Sequence, residues 1–453
     1  MLRLTPYSTL SVLATGWLTA CAPSIPVRSS AARIEPTRLV LREAPTVEPG
    51  NQTPNVSVRE GPEVPNRLDW PMIRRLALEH HPRLQAIVLE AEALEFERQT
   101  ADRLPNPVVG LEVEDFAGQG DRSGLRGAQE TLWVSQTFEA GGKRAARVRI
   151  AEAHQTMQQL EGEVARQMIL GQARQAYLST LVAQQALALA TELEGLMDGF
   201  YTTLQGRVEA GKVSALDQSQ YAVSMSGARL DRQRAERAVR LASQQLAQCW
   251  GGEAEGLVVV GDWPEPTPLP DLDGLRTRLE RTVRMQLARQ AQHLASAELE
   301  AARAGRHSDW EWTVGLRRYE DSDDFAATVG VQAPWRLHSS GKQREAAARA
   351  REARSEFEAL DRKRHDWTQI TTLHGEASAA LEAFASIQGP LLEQAEWVYR
   401  STLEGYQQGR FDLVQVLAAQ ASYFDLRARK AEALADYHGA LTRLNTLLGE
   451  TWE

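Results

Sequence analysis

Two glycines, Gly211 and Gly409, stand 198 residues apart, and each interrupts a stretch that otherwise reads as unbroken helix. Ahead of Gly211 the helical pattern runs from Arg144 to about Val208. Within it Ile150, Ala153, Met157, Leu160 and Val164 alternate at spacings of three and four, the seam of a coiled coil. Ahead of Gly409 it runs from about Gln343 to Glu404, where Gly389-Pro390 should kink it. At about 1.5 Å per residue, each helix spans on the order of 95 Å. A shorter helix follows each break, from about Ser214 to Cys249 and from beyond Gly409 to about Leu448. Such proportions imply long, narrow helical hairpins rather than a compact domain.

What precedes each long helix also recurs. In the first copy Asp69-Trp70-Pro71 opens a helix that persists to about Arg103, and Leu104-Pro105-Asn106-Pro107 stops it. Alternating segments Val108–Phe116 and Thr131–Phe138 then flank a glycine-rich loop, followed by "EAGGKR". In the second copy a helix from about Leu272 to Gly305 precedes Trp310–Tyr319, Phe325–Pro334 and "HSSGKQR". A repeat of this length indicates duplication of a whole subdomain, not a solenoid. The chain therefore divides into a signal (1–20), an extended Pro-rich linker (21–66), a first repeat (67–250), a connector (251–270) and a second repeat (271–453).

The alternating segments place Val109, Leu111 and Val113 against Gly110, Glu112 and Glu114. Likewise Trp310, Trp312, Val314 and Leu316 oppose Glu311, Thr313, Gly315 and Arg317. Ala327, Val329 and Val331 oppose Thr328, Gly330 and Gln332. Apolar-out, polar-in alternation over eight to ten residues is the pattern of an outer-membrane barrel strand. Trp310, Trp312 and Trp335 suit the aromatic belts at a bilayer boundary. A pair of soluble hairpins is the alternative; export and the charged polar faces count against it. Four strands cannot close a barrel, so several chains must share one.

The first residues specify export. Arg3, an apolar run and small residues before Cys21 form a secretory signal, and Leu18-Thr19-Ala20-Cys21 looks like a bacterial lipobox with Cys21 as the lipidated mature N-terminus. Ala22 after it looks like an outer-membrane address. Beyond the signal there is no apolar run long enough for a membrane helix. Cys249 then stands alone, so no internal disulfide is available.

Other chemistries find little support. A net charge of −9, with basic residues interleaved among acidic ones, argues against nucleic-acid binding. The stretch Gly206–Ser214 glances toward a phosphate loop, but Val213 separates Lys212 from Ser214, and no strand precedes it. The nine histidines are scattered, with no Cys/His cluster for a metal and no nucleophile elbow. The expectation is no enzyme and no cofactor beyond the covalent lipid.

The organisation resembles the TolC-like outer-membrane efflux family from about Arg67 to Gly449. The resemblance is carried by "ALEHHPRLQA" (Ala77–Ala86), "PNPVVGLEVEDFAGQG" (Pro105–Gly120), "ETLWVSQTFEAGGKRAAR" (Glu130–Arg147) and the two glycine breaks. The second and third stretches look most like the outer-membrane subunits of cobalt-zinc-cadmium-type exporters. The resemblance implies a mostly α fold with a membrane β-barrel: a homotrimer sharing one 12-stranded barrel, four strands per chain, continued by a periplasmic helical tunnel. It implies the exit duct of a tripartite pump, docked on a periplasmic adaptor and through it on an inner-membrane proton-driven (RND) transporter, passing heavy-metal cations. A periplasmic adaptor lipoprotein, or a duct of the same fold for organic compounds, remains open as an alternative.

On this resemblance the glycine breaks become periplasmic tips. Arg207, Val208, Gly211, Lys212, Tyr406, Gly409, Arg410 and Phe411 are the expected docking residues, with Ser214 and Asp412 capping the returning helices. Asp217 and its counterpart Gln415 stand where acidic residues often constrict the tunnel of the family. Asp217 is equally readable as a solvated polar residue. Two further departures are His81-Pro82 in place of Asn-Pro and the absence of that proline near Met285.

Overall fold

The computed structural model describes residues 64–261, 263–335 and 340–450, all within the compact unit Arg59–Glu453. The signal, Cys21 and nearly all of the linker lie outside the described residues.

A two-residue strand, β1 (Arg67–Leu68), leads into α1 (Trp70–His80), which Asp69 caps through the Met72 N–H at 3.0 Å. Helix α2 (Pro82–Ala101) follows. The sequence suggests one helix to about Arg103, but the chain breaks at His81, whose ψ is 120°. Proline at 82 forbids helical geometry in the preceding residue, and the His81 ring compensates by accepting the Arg83 N–H at 3.2 Å. The helix expected from Leu272 to Gly305 is likewise two, α5 (Leu272–Leu279) and α6 (Val283–Ala304). There Thr282 restarts the chain by accepting the Met285 N–H.

Between α2 and α3 (Lys143–Glu209) lies the hairpin β2 (Val108–Glu114) and β3 (Gln129–Phe138). Between α6 and α7 (Gly341–Ser386) lies the hairpin β5 (Trp310–Tyr319) and β6 (Asp324–Gln332). Strand β6 stops at Gln332, two residues earlier than expected, because Pro334 cannot donate to a ladder. The four strands form one antiparallel sheet in the order β2-β3-β5-β6, with Trp133 opposite both Gly110 and Gly315. Its two outer strands, β2 and β6, have no further partner among the described residues.

Helix α3 is 67 residues of continuous helix, on the order of 100 Å at the standard rise. Ala153 of its seam is buried, and Ile150, Met157, Leu160 and Val164 are half-buried. Helix α4 (Ala215–Ala247) returns beside it. The second long helix departs from continuity where expected. At Ile387–Leu391 the turn widens, Gly389 leaves helical geometry with ψ −137°, and α8 (Leu392–Gln407) resumes after Pro390. Helix α9 (Leu413–Leu448) completes the chain. No helix of the described residues is long and apolar enough to cross a membrane.

Among the described residues, burial concentrates in four clusters along the helices, the smallest around Ala377 and Tyr437. Near the middle of α3, Trp70, Ile73, Tyr177, Leu246 and Trp250 pack with Leu68 and Val259 of a parallel two-residue ladder between β1 and β4 (Val258–Val259). The sequence gives no hint of that ladder. Leu275, Leu279, Ile370, Leu373 and Leu444 form a second cluster. A third, around Leu204, Tyr221 and Leu413, lies beside the glycine breaks. Each fully buried leucine contributes about 1.5–3 kcal/mol. Elsewhere small residues set the approach: a Cβ at Gly171 would overlap the side chain of Thr446 on α9.

Candidate functional site

The sheet is inverted relative to a soluble one. Val109, Leu111, Leu132, Val134, Val314, Leu316 and Val329 share one face and are 46–71% exposed, whereas Thr131 and Ser135 on the other face are 4% and 2% exposed. Trp310, Trp312 and Trp335 are exposed at the helix-side margin, Trp335 at 87%. An apolar face of this extent is unstable in water and matches a hydrocarbon environment.

Polar contacts knit the opposite face. Arg317 donates to Thr131 Oγ1 (2.9 Å), Gln129 Oε1 (2.9 Å) and Glu114 (2.8 Å), tying β5 to β3 and β2. Trp133 projects to this face as well, between two glycines: a Cβ at Gly110 would overlap its indole, and one at Gly315 would meet Thr328 Oγ1 first, then the Leu132 carbonyl and the Trp133 Cβ. The sequence pattern identifies both glycines as inward-facing but not the ring they accommodate.

Where sheet meets helices, Lys143 pairs with Asp309, and Gly141, at φ 73°, lies against His307. Arg147 pairs with Glu139, and Arg144 with Asp102 at 2.9 Å.

At the far ends of α3 and α8 the two turns have one design. Gly211 and Gly409 both adopt left-handed φ, 68° and 75°, and close their helices through Lys212 N–H to Arg207 O (2.9 Å) and Arg410 N–H to Gly405 O (2.7 Å). Ser214 caps α4 through the Leu216 N–H at 3.0 Å, and Asp412 caps α9 through the Gln415 N–H at 2.8 Å. The turns touch each other. Arg207 donates to the carbonyls of Tyr406 and Gln407 and lies over the Tyr406 ring, its guanidinium carbon 5.1 Å from the centroid.

This contact separates the eight tip residues into two groups. Gly211, Lys212, Gly409, Arg410 and Phe411 are exposed, Phe411 packing partly over Gly405. Val208 is half-buried, Arg207 is occupied in joining the turns, and Tyr406 is only 7% exposed, packed near Phe200 and Leu413.

Asp217 and Gln415 occupy equivalent places, each the third residue of its returning helix. Gln415 completes a capping box, its side-chain oxygen accepting the Asp412 N–H at 3.1 Å. The Asp-x-x-Gln spacing carries that signal in the sequence. Asp217 is half-buried in the first turn of α4, where a carboxylate suits the positive helix end.

Among the described residues no three His, Cys, Asp or Glu side chains are grouped to hold a metal ion. Burial pushes the Cys249 thiol up to about 11, which leaves it inert near neutrality.

Comparison with known proteins agrees with this geometry. Residues 73–252 match the family described as outer membrane efflux protein. The chain is 25% identical over 379 residues to the cobalt-zinc-cadmium resistance protein CzcC of Cupriavidus metallidurans, covering 81% of this chain and 86% of CzcC. A membrane protein from Pseudomonas aeruginosa superposes with a TM-score of 0.74 at 16% identity, covering 90% of this chain and 96% of that one. CusC, whose crystal structures concern transmembrane channel formation, superposes with a TM-score of 0.70 at 15% identity, covering 84% of this chain and 92% of its own.

Proposed function

We propose that this chain, whose residues 73–252 match the outer membrane efflux protein family, is the outer-membrane exit duct of a tripartite pump. The observation that carries the reading is the four-stranded sheet with an exposed apolar face and two unpaired edges, β2 and β6. Three copies joined edge to edge supply twelve strands and leave no edge open. The recurrence of helix, hairpin, long helix, glycine turn and helix supports an internal duplication, so that each chain contributes two quasi-equivalent walls to a periplasmic tunnel.

Within that assembly the duct is passive and the chain catalyses nothing. Cys21 carries the lipid anchor, the paired turns at Gly211 and Gly409 dock on a periplasmic adaptor, and an inner-membrane transporter supplies the energy. The likeness to CzcC supports divalent heavy-metal cations as cargo. Detergent extracts of outer membranes should contain a trimer whose migration on gels changes on heating. A monomer, or a protein found in the inner membrane, would overturn the duct. Deleting the gene should sensitise cells to cobalt, zinc or cadmium. Unchanged tolerance would shift the cargo to organic compounds and leave the duct intact.

A further inference from the structure

Charge is distributed unevenly about the sheet. On its helix side, the stretches 98–107, 139–149, 300–309 and 340–351 carry twelve Lys and Arg against five Asp and Glu. The hairpin loops on the other side, 115–128 and 320–323, carry two against five. In a chain whose net charge is −9, the basic collar is a local feature and not a reflection of composition.

The densest part of this collar has a defined geometry. Glu345, in the first turns of α7, has a side chain only 10% exposed. Arg306 reaches it at 2.8 Å, Arg349 at 2.8 Å and Arg303 at 3.5 Å. One carboxylate thus organises three guanidinium groups and leaves two positive charges in surplus. The guanidinium ends remain open to the surface, with side-chain exposures of 52%, 47% and 62% for Arg303, Arg306 and Arg349. The stem of Arg306 is fixed as well, because it packs over Gly341, where an added Cβ would lie 3.1 Å from Arg306 Cγ. Three forks held on one hub are suited to the oxygens of a phosphate.

The cluster also adjoins the apolar margin. Arg306 lies four residues before Trp310, and Ser308 donates to the Pro334 carbonyl at 2.9 Å, bringing the start of β5 beside the chain leading to Trp335. Indole rings at the boundary of an apolar band mark headgroup level, and guanidinium groups just beyond them meet lipid phosphates.

We propose that this basic collar binds anionic phospholipid headgroups, with Arg303, Arg306 and Arg349 around Glu345 as its phosphate-binding core. The inference rests on the outer-membrane reading of the sheet. It commits to a bilayer lipid rather than to free phosphate, because the cluster is continuous with the exposed Trp margin.

The test reconstitutes the full-length protein in nanodiscs of phosphatidylcholine with or without phosphatidylglycerol, then counts the lipids retained on extraction by native mass spectrometry. The wild type should retain phosphatidylglycerol over phosphatidylcholine by on the order of tenfold, from two surplus charges at the surface. High salt should reduce that preference. Joint replacement Arg303→Gln, Arg306→Gln and Arg349→Gln should abolish it while the heat-modifiable band persists. The milder Arg349→Gln should reduce it if the triple variant does not fold. Equal retention of the two lipids by an inserted wild type overturns the inference and leaves the duct standing. Equal displacement by soluble glycerophosphate also overturns it, showing a site for free phosphate. Failure to insert in either composition overturns the outer-membrane reading, and this inference with it.

Discussion

Lys143, the first residue of α3, holds both carboxylate oxygens of Asp309 at 2.7 Å, across 166 residues of chain. The same carboxylate accepts the Ala140 N–H at 3.0 Å, so it ties the end of the first hairpin to the start of the second. With Lys143 only 17% exposed, removing the countercharge leaves a largely desolvated ammonium. Asp309→Asn should therefore cost about 1–3 kcal/mol. The expected outcome is a lower temperature for the conversion of the folded band on gels, with no change in the amount of protein inserted.

Trp133 offers a second test. Valine at Gly110 forces its side chain into the indole, and overpacking of this kind costs about 1–3 kcal/mol. Gly110→Val should shift the tryptophan emission and weaken or abolish heat-modifiable migration. A variant with unchanged emission and migration would show that Trp133 does not fill the space between Gly110 and Gly315.

The tips separate strain from docking. An added Cβ at Gly211 or Gly409 meets nothing within 4 Å, so the left-handed φ is the only intramolecular obstacle, worth about 1–2 kcal/mol. Gly211→Ala should keep both the trimer and export. Gly211→Arg should keep the trimer but lose export, as measured by metal tolerance in cells producing the variant. The same pair at Gly409 should behave alike. Normal export by the arginine variants would refute docking at these turns.

Acid should weaken the helical part of the chain through His438. Burial lowers the pKa of this ring and Arg174 adds to the effect; the hydrogen bond to the Pro264 carbonyl at 2.9 Å opposes them. Because that carbonyl only accepts, Nε2 carries the proton of the neutral ring. A base with a depressed folded pKa leaves the unfolded chain binding more protons, so the folded state loses stability as pH falls below about 6.5. His438→Gln should be less stable near neutrality by about 1 kcal/mol, through the altered hydrogen bond, yet lose less on acidification. Urea midpoints at neutral and mildly acidic pH measure both. An unchanged slope would assign the acid sensitivity elsewhere.

Much of this architecture is legible in the sequence because its signals are local and repeated. Alternation over Val108–Glu114 and Trp310–Tyr319 fixes strands within a few residues, and glycine followed by a capping Ser214 or Asp412 fixes the turns. What escapes depends on partners distant in sequence or on side-chain commitments. The ladder pairing Arg67 with Val258 is two residues long and joins segments 191 residues apart, so periodicity cannot register it. Tyr406 reads as a turn residue near Gly409, yet packing against Phe200, 206 residues earlier in the same chain, draws it inward. The break at His81 is signalled by Pro82, which can also sit in a kinked continuous helix, whereas no proline or glycine beside Thr282 marks the break there.

The break at Gly389-Pro390 gives the two halves of the chain unequal mechanics. A force applied at the Gly211 turn travels to the sheet along α3 as along a solid rod, whose ladder of backbone hydrogen bonds must stretch before it bends. A force applied at the Gly409 turn meets a joint between α8 and α7, where Gly389 already lies outside helical geometry and Pro390 donates no backbone hydrogen bond. Twisting is therefore cheaper on that side. If three such chains close a ring, stiff and compliant staves alternate around it, and any widening of its end falls mainly on three of the six.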